Sequence, residues 1–219
     1  MALIIMLPFY QYIQIVSFLL AIVFYKGLKQ FHLLSFIPFL FIVSAIEVSA
    51  YLLQLKGVKN AFTYNFYVLL SPLFYMYFFY IVLKLTNITK IVYIFIVVLQ
   101  NLVIILNYLF IQGIKSFNNY SYVLLSISCC VFSIISLYRI SIVTNDEYKK
   151  QMPYIIILSA TLLFFLGSLI ILGLYQFIIF KNLTIGGLHL YSILMPALNV
   201  IMYGSYSYAF YLCHKLTKN

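Results

Sequence analysis

Acidic side chains are nearly missing from this chain. Glu47, Asp146 and Glu147 are the only three in 219 residues, and charged residues of both signs make up 7%. Soluble domains carry about 25%, so the chain has too little charge to cover a water-facing surface. Tryptophan is absent, which passes the membrane-interface role to tyrosine, present 22 times. Long basic runs are missing as well. The formal net charge is +10, yet no run exceeds Lys149-Lys150, which argues against nucleic acid as a partner. Most of the positive charges stand at the ends of apolar stretches, where anionic lipid headgroups would meet them. The three cysteines, Cys129, Cys130 and Cys213, form no CxxC, and vicinal positions on a helix project in different directions. They read as small packing residues, with no disulfide or metal framework. Residues 1–8 carry no Lys or Arg, so a signal peptide's charged start is lacking, and the first apolar run is expected to be an uncleaved span.

What the chain has is apolar length. It is 66% apolar with a mean hydropathy of +1.11. A hydrocarbon core about 30 Å thick needs about 20 helical residues to cross it. Seven stretches meet that requirement, at about 3–25, 31–53, 61–83, 91–111, 122–140, 153–180 and 188–212. The expected fold is therefore all-α: a polytopic bundle of seven transmembrane helices, one domain over 1–219, with no soluble domain. Breaker or interface residues mark the joins, among them Lys26-Gly27, Lys56-Gly57, Asn87, Asn118-Asn119 and Gly186-Gly187. The fifth loop, 141–152, is the most charged. Lys26, Lys29, Lys84, Lys90, Arg139, Lys149, Lys150, Lys215 and Lys218 fall on one side, against Lys56, Lys59, Lys115 and Lys181 on the other. The positive-inside rule then places the N-terminus outside and the C-terminus in the cytoplasm of a multi-pass membrane protein.

Polar groups inside the spans are the candidate site. Glu47 is the only acid within a span, in the outer half of the second. Burying a carboxylate there costs on the order of 2.5–3.5 kcal/mol on insertion scales. It can take up a proton or pair with donors, and both a ligand or ion site and a neutral interhelical tie fit that chemistry. Ser44, Glu47 and Tyr51 share one helical face. Asn65, Asn107 and His189 lie at similar depth, with Tyr67 and Tyr191 two residues beyond Asn65 and His189, so an outward polar cluster is expected. His189 reads equally well as an interfacial residue. Nearer mid-membrane lie Gln11, Gln14, Gln100, Asn101 and Asn199, which suit hydrogen bonds between helices.

The remaining patterns concern packing. Ser126, Cys129, Ser133 and Ser136 align on one face, and Gly167, Ser168 and Gly173, then Gly204, Ser205 and Ala209, are expected to admit close neighbours. Pro38, Pro72 and Pro196 are expected to loosen their helices. The run from Phe74 to Tyr80 is an aromatic belt or a packing surface. Pro72 and Pro196 sit at matching depths, as do Asn65 with His189 and Tyr67 with Tyr191, a hint of a three-plus-one-plus-three repeat like that of some small sugar transporters.

Several chemistries have no machinery here. The last span holds no lysine for a retinal Schiff base, and His32, His189 and His214 lie at span ends, away from any carboxylate set. Neither GxSxG nor a Gly-rich phosphate loop occurs. No catalytic constellation, metal site or cofactor is therefore expected.

The acid followed by a short Lys-Gly loop (Glu47 to Gly57), Asn65 with Tyr67, the Phe165 to Leu169 run, and the stretch from His189 through Asn199 to Tyr208 carry a resemblance. The chain resembles a family of small bacterial seven-helix integral membrane proteins of uncharacterised function. That resemblance implies seven helices and interest in Glu47, Asn65, His189 and Asn199, and no activity. Three functions are open. One is a sensor or regulatory subunit acting through a cytoplasmic or membrane partner docked on the fifth loop or the Lys215–Lys218 tail. Another is a small transporter or channel using Glu47 to couple protons or ions. The third is a structural subunit of a membrane complex; self-association is left open.

Overall fold

The computed structural model describes residues 7–83, 87–113, 116–142, 145–181, 183–185 and 188–218. The chain forms α1 (Phe9–Val23), α2 (Tyr25–Gln30), α3 (Phe36–Leu55), α4 (Ala61–Leu83) and α5 (Asn87–Leu106), which runs into a π-helical segment (Asn107–Ile111). Next come α6 (Asn119–Ser141), α7 (Asn145–Phe180), the two-residue strands β1 (Thr184–Ile185) and β2 (Leu188–His189), and α8 (Leu190–Lys218). Among the described residues, five segments are long and apolar enough to cross a membrane: Phe36–Leu55, Ala61–Leu83, Thr89–Ile111, Asn119–Ser141 and Tyr148–Tyr175. Helices suit that environment because they pair their own backbone groups where no water can. Apolar side chains such as Ile91, Phe95, Val98, Phe110, Ile134 and Ile170 cover the outside, which fits a multi-pass helical bundle. α1, at 15 residues, and α8, at 29, pack within the same bundle.

Helix contacts follow a closed circuit. α1 touches α3, α3 touches α4, α4 touches α6, α6 touches α7, α7 touches α8, and α8 returns to α1. α5 stands outside this ring, mainly against α4. Short connections make successive long helices antiparallel.

The joins differ from expectation in instructive ways. Lys26-Gly27 does not break the chain; it lies within α2, which docks on α8. A Cβ on Gly27 would sit 2.7 Å from the backbone nitrogen of His214, so this glycine serves close approach between backbones. α2 ends instead at Gln30, and His32, two residues on, has a left-handed φ of 54°. Leu33 N–H donates to the Leu28 carbonyl at 2.8 Å and His32 N–H to Lys29 at 3.2 Å, the paired bonds of a Schellman cap. Gly57, with φ 70°, caps α3 likewise through Val58 N–H to Leu53 at 3.0 Å and Gly57 N–H to Gln54 at 2.9 Å.

The fifth loop is shorter than 141–152, because α7 begins at Asn145 and carries Pro153 inside it. Pro72 and Pro196 are internal to α4 and α8. Pro38 is not; it is the third residue of α3, where a helix has no partner for the N–H that proline lacks. Ser126, Cys129, Ser133 and Ser136 are all buried. Gly173 and Gly204, by contrast, border open space, so they admit no neighbouring helix: both point away from the ring.

One end of the ring is filled by aromatic side chains. Phe36 meets Phe74, Phe78, Tyr206 and Phe210 edge-on at centroid distances of 4.9–5.5 Å. Phe39 stacks on Phe74 at 3.6 Å, and Tyr75 meets Phe165 at 5.0 Å. The Phe74 to Tyr80 run is therefore largely a packing surface, with Tyr77 left exposed.

Candidate functional site: a cavity around Glu47

The other end of the ring is hollow. A cavity of about 470 Å³ opens where the second half of α3, the first half of α4, the start of α6, the second half of α7 and the first half of α8 converge. Its walls include Val43, Ile46 and Glu47 from α3, Tyr64 and Tyr67 from α4, and Tyr122 from α6. Phe164, Ser168, Ile171 and Tyr175 come from α7, and Tyr191, Asn199 and Tyr203 from α8. Phe117, just before α6, closes one side. Volumes of this order suit a small organic ligand, and a mainly apolar wall with few polar groups is the usual composition of such sites.

Glu47 is held in a directional chain of hydrogen bonds. The Tyr10 hydroxyl donates to its Oε2 at 3.1 Å, and the Tyr64 hydroxyl donates to the same oxygen at 3.3 Å. Gln11 donates through Nε2 to the Tyr10 oxygen at 3.3 Å and to the Glu47 backbone carbonyl at 3.3 Å. Because Gln11 supplies a proton to the Tyr10 oxygen, the Tyr10 proton is directed to the acid. α1 and α4 thus grip the carboxyl from either side of α3. Among the described residues no hydrogen bond reaches Oε1, and no Lys, Arg or His nitrogen lies within ion-pair distance of Glu47.

The expected cluster is only partly assembled. Tyr67, Tyr191 and Asn199 line the cavity with Glu47. Tyr191 packs against Tyr175 at 5.3 Å, and the Asn199 amide donates to the Met195 carbonyl of its own helix at 3.0 Å. Tyr51 is half-buried outside the cavity. His189 belongs to β2, and its side chain lies outside the described residues.

Asn65 and Asn107 are drawn into a separate knot. Asn65 is fully buried; its Nδ2 donates to the Ser116 carbonyl at 2.8 Å, and its Oδ1 accepts from Asn118 N–H at 3.0 Å. The Asn107 amide, on the π-helical segment, lies 2.6 Å from Asn118 Oδ1, 2.8 Å from Ser121 Oγ and 3.0 Å from Gln112 Oε1. This knot ties the start of α6 to α4 and so sets the wall residue Phe117.

Of the mid-membrane amides, Gln11 serves the Glu47 chain, whereas Asn101 bonds back to Val97 of its own helix at 2.8 Å. Gln14 is buried with its Nε2 unpaired, and Gln100 with both amide atoms unpaired. Neither forms the expected tie through those atoms. Tyr10, Tyr64, Tyr122, Tyr175 and Tyr203 were not anticipated as site residues. In a chain without tryptophan, tyrosine reads as interfacial belt; the available signal was that Tyr64 matches the depth of Glu47 as closely as Asn65 does.

Comparison with family models, with curated proteins and with solved structures gave no match. The functional argument therefore rests on the site. Among the described residues no group of three or more His, Cys, Asp or Glu side chains is placed to hold a metal ion. The cavity offers one carboxyl, several phenols, an amide and a hydroxyl on apolar walls, a set of groups suited to binding.

Proposed function

We propose that this chain is a seven-span membrane protein, N-terminus outside, that acts as a sensor or regulatory subunit through a partner protein. The supporting observation is the construction of the cavity walls. α7 and α8 contribute much of the lining and run on to the opposite, lysine-bearing end. At 36 residues α7 is about 54 Å long, well beyond a hydrocarbon core of about 30 Å. A ligand that changes the spacing of α7 and α8 near Glu47 thereby changes what Lys149, Lys150, Lys215 and Lys218 present to a partner. The packed aromatic end beneath the cavity favours such relay over an open pore.

A small transporter is the second reading. It is favoured by the ring: α1, α3 and α4 make the same sequence of contacts as α6, α7 and α8, with α5 between them in the chain and outside them in space. That fits the three-plus-one-plus-three hint, and sites at repeat interfaces are common in transporters.

Purification from the native host in mild detergent, followed by native mass spectrometry, separates the two. The sensor reading expects a stoichiometric partner with a cytoplasmic catalytic or DNA-binding domain. A partnerless particle that moves solute in liposomes overturns it in favour of transport.

A further inference from the structure

We propose that the cavity recognises a hydrophobic amine: an apolar body enclosed by the walls, with its ammonium group on Glu47. The inference rests on the reading of the cavity as a ligand site and adds the chemical class of the occupant.

Three observations carry it. The first is the polarity of the hydrogen-bond chain. Gln11, Tyr10 and Tyr64 all direct protons toward Glu47, and two hydroxyls converge on a single oxygen. An ionised carboxylate accepts from every side, so this arrangement suits the anion. The second is the missing counter-charge. An ionised carboxylate within a helical bundle in lipid is costly unless it is paired, and among the described residues no protein cation pairs with Glu47. Oε1 remains for a donor entering the cavity. The third is the wall. Tyr64, Tyr67, Tyr122, Tyr175, Tyr191 and Tyr203 all line the same space, and aromatic rings attract cations through their quadrupole while burying hydrocarbon. A carboxylic acid ligand meets the opposite conditions, because its charge repels Glu47 and, among the described residues, no basic side chain lines the cavity.

The test uses the full chain in nanodiscs of zwitterionic lipid, with empty discs as blank. The probes share one skeleton: 4-phenylbutylamine, 4-phenylbutanol and 4-phenylbutyrate, titrated calorimetrically. The expected result is an amine at least about tenfold tighter than the alcohol, no binding by the carboxylate, and an amine reduced to the alcohol's affinity by Glu47→Gln. Equal binding of amine and alcohol to the wild-type protein overturns the inference, as does an amine unaffected by Glu47→Gln. Should that variant fail to fold, the wild-type ratio of amine to alcohol decides alone. Ser168→Phe, which fills the cavity from α7, keeps the two readings apart. If it abolishes binding of amine and alcohol alike while their affinities are equal, the cavity is a ligand site and only the amine class is wrong. If no probe binds, or binding survives the filled cavity, the cavity reading fails with it.

Discussion

Glu47 shows how one expensive residue is made tolerable by inexpensive ones. Two phenols on separate helices supply its hydrogen bonds. Interhelical bonds in membranes contribute about 0.6–1.7 kcal/mol each, so Tyr10→Phe and Tyr64→Phe are each expected to cost about that much. Because both donate to the same oxygen, the double variant should lose more than the two singles together, by at least about 0.5 kcal/mol. Denaturant unfolding of the four proteins in one detergent gives the coupling; strict additivity would show that the shared oxygen is unimportant. The identity of the acid as the focal residue was legible from sequence, since no other carboxylate falls within a span. Its partners were not. Depth along a helix follows from counting residues, whereas rotation around the bundle depends on which helices are neighbours. Asn65 illustrates this: it lies near Glu47 in depth, yet its amide is committed to Ser116 and Asn118.

Helix ends were easier to foresee than helix neighbours, and two left-handed residues, Gly57 and His32, show why. Gly57 closes α3 with open space around its Cα, so Gly57→Ala tests backbone conformation alone and should cost about 1–2 kcal/mol. His32 occupies the equivalent position after α2 without glycine's freedom. There His32→Gly is expected to stabilise by a few tenths to about 1 kcal/mol, the unfolded chain's extra entropy offsetting part of the gain. Thermal unfolding of the pair checks both signs; a neutral Gly57→Ala would contradict the cap. Lys56-Gly57 announces this turn in the sequence because glycine follows the last apolar residues. Lys26-Gly27 has the same letters and a different use, since its glycine is set by α8, nearly 190 residues later in the chain. No local pattern reveals a requirement imposed from so far away.

The seven apolar segments foreseen from composition each overlap a helix, while five segments among the described residues are long and apolar enough to cross a membrane; what composition did not reveal is that α5 lies outside the ring formed by α1, α3, α4, α6, α7 and α8. α5 leaves apolar side chains such as Ile91, Phe95, Val98 and Leu102 uncovered, the exposure of a helix that lies outside the ring. Orientation is testable with the chain's own cysteines left in place, because Cys129, Cys130 and Cys213 are all buried. Lys59→Cys, after α3, should react with an impermeant maleimide on intact cells. Lys150→Cys, in α7, should react only after permeabilisation. The reverse pattern inverts the orientation, and labelling of both from one side rules out the three crossings between them.

The grip on Glu47 also has an order in time. Tyr10 and Gln11 precede the acid in the chain, and Tyr64 follows it. As the ribosome extends the polypeptide, α1 is complete before Glu47 emerges, so the carboxyl's first hydrogen-bond donors have already been made. α3 then enters beside a helix that can receive its acid, and Tyr64 arrives one hairpin later to lock the pair. The least membrane-compatible side chain in the bundle is thus never synthesised ahead of all its partners.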